Sequence, residues 1–140
     1  MEFPEAIRLA LRERLFDYSG RSRRSEYWWY WAFYMGIWFI SYFVLIFGVF
    51  ISVDNAGGPG IFAMVLLILY AAINLALLVP GISLTIRRLH DLDRTGWWII
   101  TIFIPILNLF FGIMLLIWFA QPGTEGTNRF GMDPKAHEIF

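Results

Sequence analysis

The chain has no cysteine. That excludes a disulfide framework and thiol chemistry. Histidine is scarce as well, with only His90 and His137. A zinc site needs three or four ligands from His, Cys, Asp or Glu, so the pool is thin. Asp91 and Asp93 could assist a hard cation, but the neighbouring arginines oppose it. Charge is missing from three long stretches, 27–53, 61–86 and 97–120, which hold no Asp, Glu, Lys, Arg or His. Ionisable residues inside spans are the usual mark of proton or ion coupling, and their absence argues against it. What remains outside the stretches is too short for a soluble domain of ordinary size. A cleavable signal peptide is not expected, because the first stretch is too long for its apolar core and Asp54 and Asn55 spoil a cleavage site after it.

What is present is hydrophobic. Apolar residues make up 59% of the 140-residue chain and aromatics 19%, with a mean hydropathy of +0.61. A helix crosses the hydrocarbon core with ~20 predominantly apolar residues, and each of the three stretches exceeds that. The sequence therefore predicts an all-α membrane protein with three transmembrane helices, at about 27–53, 61–86 and 97–120. An amphipathic interfacial helix precedes them. The whole chain, 1–140, reads as a single multi-pass membrane domain, with 1–26 a cytoplasmic amphipathic tail and 121–140 a polar tail.

Arginine placement predicts the topology. Arg8, Arg12, Arg14, Arg21, Arg23 and Arg24 precede the first stretch, 54–60 has no Lys or Arg, and Arg87, Arg88 and Arg94 follow the second. Basic residues in short flanks stay cytoplasmic. The N-terminus and 87–96 are thus expected inside and 54–60 outside. Three spans then send the C-tail outside, although it carries Arg129 and Lys135.

Along the N-terminal tail, Pro4 and Glu5 suit a helix start. Phe3, Ile7, Leu11 and Leu15 recur every four residues, a face suited to the headgroup boundary. Asp17-Tyr18-Ser19-Gly20 breaks this helix. Basic residues at 21–24 and the aromatics Tyr27-Trp28-Trp29-Tyr30-Trp31 then mark a membrane entry. The segment 54–60 reads as a glycine-rich turn. Ala32 with Gly36, and Ala72 with Ala76, form small-residue pairs that permit close helix approach. Pro80 predicts a kink. Beyond it, helical spacing makes neighbours of Arg87 and Asp91, Arg88 and Asp91, and His90 and Arg94. Trp97-Trp98 mark the next entry. Pro105 and Asn108 interrupt the third stretch, which is read as one tilted span, with a bent or re-entrant segment as the alternative that returns the C-tail to the cytoplasm.

Three motifs carry a family resemblance. They are Gly-Arg-Ser-Arg-Arg-Ser-Glu-Tyr-Trp at 20–28, then Arg87-Arg88-Leu89-His90-Asp91 with Asp93-Arg94 and Gly96-Trp97-Trp98, and lastly Gly123-Thr124-Glu125-Gly126-Thr127-Asn128-Arg129-Phe130-Gly131-Met132-Asp133-Pro134. In this order, between apolar stretches of this length, they resemble the bacterial "domain of unknown function 805" family, the YhaH-like inner membrane proteins. Ser22 stands where that family often has Ala. The resemblance implies a multi-pass protein of the bacterial inner membrane and brings no established activity, substrate or cofactor.

His90 beside Asp91, with Ser19, Ser22 and Ser25 on the same side, prompts a catalytic reading. Adjacent helical residues point in different directions, so Asp91 is a poor orienter for His90. No catalytic residue, metal or cofactor is expected. The functional expectation is a membrane scaffold or interaction module. Its cytoplasmic face, Arg21, Arg23, Arg24, Arg87, Arg88 and Arg94, would bind anionic lipid or a partner through planar guanidinium forks. Glu26, His90, Asp91, Asp93, Asn128 and Arg129 are expected to form a polar network beside it. The expected partners are membrane phospholipid and either a second copy or another membrane protein, not nucleic acid. The alternative is a subunit of an oligomeric small-solute or ion channel or transporter, kept open by Asn74, Pro80, Pro105 and Asn108.

Overall fold

A computed structural model describes residues 1–52 and 60–136. Most of the expected turn at 54–60, and His137, lie outside the described residues. Among those residues the regular elements are helices, with one isolated bridge, Asn128 to Gly131. They are α1 (Phe3–Arg8), continued by a π-helical turn Leu9–Glu13, then α2 (Arg24–Ser52) and α3 (Ile61–Asp91). A 3-10 turn Gly96–Ile99 leads into α4 (Ile100–Phe103) and α5 (Pro105–Ala120). With 29 and 31 residues, α2 and α3 are long and apolar enough to cross a bilayer. The third, α5, is apolar but has only 16 residues. The chain divides into two units, Ala32–Leu78 and the remainder, Met1–Trp31 with Val79–Phe140.

In the unit Ala32–Leu78, the outward surface is almost wholly apolar. Phe43, Phe47 and Phe50 are 66–77% exposed, an arrangement that lipid tolerates and water does not. The close approach is at Gly48, where a Cβ would fall on the Leu66 side chain. The small pairs read from the sequence do not mediate it: Gly36 has open space around it, and Ala72 and Ala76 are exposed. Asn74 turns its amide back to the Tyr70 carbonyl at 2.8 Å.

In the other unit, the N-terminal helix is docked on protein by a face one position away from the expected one. Ala6 and Ala10 are fully buried, whereas Phe3 is exposed and meets Trp29 edge-on at 5.6 Å. Ile7, Leu11 and Leu15 are half-buried. Small side chains let the helix backbone come close, and Ser83 fixes its end by donating to the carbonyls of Arg14 and Asp17 at 3.1 and 2.7 Å. The apolar face expected in the headgroup boundary is thus partly turned toward the protein.

The third apolar stretch is not one continuous helix. Ile104 is extended (φ −99°, ψ 109°) between α4 and α5. The cause is Pro105, which has no amide hydrogen for the Thr101 carbonyl and forces the preceding residue away from helical geometry. The two arms fold back on each other. Trp98 meets Phe111 and Trp118 at 5.8 and 5.3 Å, and the Arg94 guanidinium lies 3.6 Å over the Trp118 ring. The stretch departs from Arg94 and returns to Arg88, which donates to the carbonyls of Phe119 (3.1 Å) and Gln121. The stretch expected as one tilted span at 97–120 is thus broken at Ile104, as in the bent alternative. The C-tail lies against residues 21–24 and 87–94, not on the far side from them.

Candidate functional site

The polar residues singled out from the sequence converge where the start of α2, the end of α3 and the C-tail meet. Asp91 sits at the last turn of α3 and is 3% exposed. One carboxylate oxygen accepts from Arg21 Nε at 3.0 Å, and the other accepts from Arg88 Nη1. The sequence offered Arg87 and Arg88 as helical neighbours, and only the i,i+3 partner is used. Arg87 instead reaches Glu26 on α2 at 2.9 Å, with both side chains almost completely buried. Two buried ion-paired groups therefore tie α2 and the segment before it to α3.

Further guanidinium donors bond the backbone of the C-tail and of the last turn of α5. Arg21 donates to the carbonyls of Gly126 (2.5 Å) and Thr124, and Arg88 to those of Phe119 and Gln121. Arg23 donates to the Pro134 carbonyl through Nε (3.0 Å) and Nη2 (2.6 Å). Arg24, which is exposed, reaches the Ala120 carbonyl at 3.1 Å. Helix ends and loops leave such carbonyls without partners, and charged donors satisfy them strongly. Arg87 Nε and Nη2 and Arg88 Nε are buried without a hydrogen-bond partner among the described residues.

The tail is fitted closely. Thr124 caps α3 by donating its amide (2.8 Å) and its hydroxyl (3.0 Å) to the Asp91 carbonyl. Asn128 donates to the His90 carbonyl and to the Thr124 hydroxyl, each at 2.8 Å. Gly123 lies so near Asp91 that a Cβ there would fall inside the carboxylate. The His90 ring stacks on Phe130 at 3.9 Å and donates from Nδ1 to the Gly20 carbonyl at 3.1 Å. Arg129 pairs with Asp93 at 3.0 Å, but this pair is largely exposed. These bonds of Arg21, Arg23, Arg87 and Arg88 with Asp91, Glu26 and the returning chain form an arginine lock, in which Arg94, resting on Trp118, takes no part.

Electrostatics follow from burial. It pushes the Asp91 carboxyl above the usual carboxylate range, against the pull of Arg88 and Arg21. It also lowers the Arg88 guanidinium, which Asp91 partly restores. Burial lowers His90, against the Gly20 hydrogen bond. At Asp133 the Lys135 amide holds the carboxyl below its ordinary value.

All twelve residues expected at the site lie in this one region, but three of the six expected ligand-binding arginines, Arg21, Arg87 and Arg88, are buried. The sequence reading missed Ser83, Gly123, Thr124, Phe130 and the accepting carbonyls. The tail motif 123–134 was the available signal for Gly123, Thr124 and Phe130. Beside the lock a cleft of about 450 Å³ is lined by Glu5, Arg14, Asp17, Arg23 and Asp133, among others. Among the described residues no group of three His, Asp or Glu side chains could hold a metal ion.

Comparison with known proteins agrees with the motifs. The chain matches the family described as "Protein of unknown function (DUF805)" over residues 15–132. It is 35% identical over 127 residues to the inner membrane protein YhaI of Escherichia coli (strain K12), covering 91% of this chain and 93% of the relative. To the inner membrane protein YhaH of the same strain it is 38% identical over 119 residues, covering 84% and 87%. The uncharacterized protein YiiR of that strain is 28% identical over 150 residues, covering 89% and 90%. No solved structure matches.

Proposed function

The chain belongs to the DUF805 family, whose matched relatives include proteins of the bacterial inner membrane, and on that premise we propose that it is a multi-pass membrane scaffold. In this reading α2 and α3 cross the bilayer, and the stretch 97–120 enters and leaves on the cytoplasmic side. The N-terminal helix, the arginine lock and the C-tail form a cytoplasmic cap. Positive-inside counting supports the orientation, because Arg129 and Lys135 then join the other basic residues. The observation that carries the scaffold reading is the lock itself. Arg21 and Arg88 donate to tail carbonyls and share Asp91, so their guanidinium groups organise the cap.

Anionic headgroups or an acidic partner segment then meet the cap through its exposed basic groups. Arg8, Arg12 and Arg24 are exposed, with Trp28 and Trp29 at 41% and 43% exposure near the entry of α2. Each basic residue near an anionic surface is worth about 1 kcal/mol. Native mass spectrometry from a mixture of anionic and neutral phospholipid tests this. The wild type is expected to retain anionic lipid preferentially, and Arg8→Gln with Arg12→Gln and Arg24→Gln to lose the preference. Equal retention of anionic lipid by both proteins refutes the lipid-docking role.

A further inference from the structure

The cleft beside the lock holds hydrogen-bonding groups that the fold leaves unspent. It lies between α1, the start of α2 and the C-tail, to which its lining residues Glu5, Glu26 and Asp133 belong. At about 450 Å³ it has the size of a small-molecule site. Glu26 lines it and is only 2% exposed. One of its carboxylate oxygens accepts from Arg87 at 2.9 Å, and the other takes no hydrogen bond among the described residues. Leaving a buried acceptor without a donor is costly. Asp17, also in the lining, spends one oxygen on the amide and hydroxyl of Ser19 and keeps the other. Arg14 is half-buried in the same cleft. Among the described residues only its backbone is bonded, to Leu9, Asp17 and Ser83, so its guanidinium is unspent as well.

Both signs therefore face one cleft. An anion alone would meet the carboxylates of Glu26 and Asp17, and a cation alone would meet Arg14. A small ligand carrying an ammonium and an oxyanion meets each group with its opposite. We propose that the cleft binds an aminoalkyl phosphate, its primary ammonium donating to Glu26 and Asp17 and its phosphate accepting from Arg14. A primary ammonium has three donors for these oxygens, and a guanidinium offers phosphate two parallel N–H groups. The choice of phosphate over carboxylate rests on the reading of this region as a cytoplasmic cap. The cleft's α1 wall then stands at headgroup level, where Phe3 packs on Trp29 of the α2 entry. The same chemistry comes from two sources, an aminophospholipid headgroup or a free phosphoamine.

Calorimetric titration of the full chain in uncharged detergent tests this with O-phosphoethanolamine, phosphocholine, ethanolamine and inorganic phosphate. Phosphocholine carries the same two charged groups but has no N–H to give Glu26. O-phosphoethanolamine is expected to bind, and each of the others to bind about tenfold more weakly or worse. Arg14→Gln should weaken O-phosphoethanolamine by about tenfold as well. Its side chain lies outside the lock, so its melting temperature should stay that of the wild type. Native mass spectrometry from mixed phosphatidylethanolamine and phosphatidylcholine separates the sources. Ethanolamine lipid kept by the wild type and lost by Arg14→Gln marks the headgroup, whereas soluble binding without such retention marks a free phosphoamine. The variant Arg8→Gln with Arg12→Gln and Arg24→Gln, which reads anionic docking, should change neither result, so either reading can fail alone. The proposal is overturned if neither form of the ligand binds, if phosphocholine or inorganic phosphate binds equally well, or if Arg14→Gln binds like the wild type.

Discussion

Replacing Asp91 by Asn tests the lock at its centre. The side chain keeps its shape and loses its charge. Asp91 is the shared counter-ion of Arg21 and Arg88, whose side chains are 1% and 0% exposed. Removing one partner of a buried ion pair leaves an uncompensated charge and costs about 3–5 kcal/mol, and here two guanidinium groups lose their partner at once. The opposite case lies within the same region. Arg129 and Asp93 pair at 3.0 Å with side chains 62% and 41% exposed, and exposed pairs contribute about 0–1 kcal/mol. Asp91→Asn should therefore destabilise the purified protein in mild detergent by about 3 kcal/mol or more, roughly 10 °C in melting temperature. Asp93→Asn should lower it by less than about 1 kcal/mol. Tryptophan emission can follow unfolding, since the chain has seven tryptophans. A double-mutant cycle with Arg21→Gln should give a coupling comparable to the single loss. If Asp91→Asn melts with Asp93→Asn, or shows no coupling to Arg21 and Arg88, the lock does not hold the cap together.

Gly123→Ala should cost about 1–3 kcal/mol, because the added methyl meets a carboxylate that two arginines hold in place; a melting temperature equal to wild type would refute the close fit. His90 is held below its ordinary value of 6.5 by burial, so in the window from about 6.5 down to its folded value the unfolded chain binds the extra proton and stability falls as pH falls. Asp91, held above its ordinary value, acts with the opposite sign, so the readout is the difference between wild type and His90→Gln, which should lose the His90 part of the slope; identical pH profiles would refute it.

Much of this arrangement is written in the sequence, unevenly. The apolar stretches at 27–53 and 61–86 correspond to α2 and α3, because length without charge is a strong signal. Asp91 as a neutraliser of arginines was legible from helical spacing, since Arg88 is three residues away. Its second partner, Arg21, lies 70 residues away, where local spacing could not choose it over Arg24. Arg87 looked equally placed on the helix and is drawn off by Glu26. The main acceptors in the lock are backbone carbonyls, which every residue has and no sequence pattern marks. That is why the arginines read as a free basic face. Pro105 flagged the break in the third stretch, but the direction of the chain after it depends on where Arg88 and Arg24 hold residues 119–121. Arg129 and Lys135 were the sequence's own hint of that return. The docked face of the N-terminal helix was hidden because small residues, Ala6 and Ala10, make the contact, while the larger apolar ones drew the eye to the neighbouring face.

The side of the membrane occupied by the C-tail decides whether 97–120 returns to the cytoplasmic face. Single cysteines placed at Ser19, Gly58 and Glu125 of the cysteine-free chain can be labelled with impermeant maleimide in right-side-out and inside-out vesicles. Glu125→Cys should label together with Ser19→Cys from the cytoplasmic face, and Gly58→Cys from the opposite one. Labelling of Glu125→Cys together with Gly58→Cys would contradict it, since the tail could then not reach Arg21, Arg23 and Arg88.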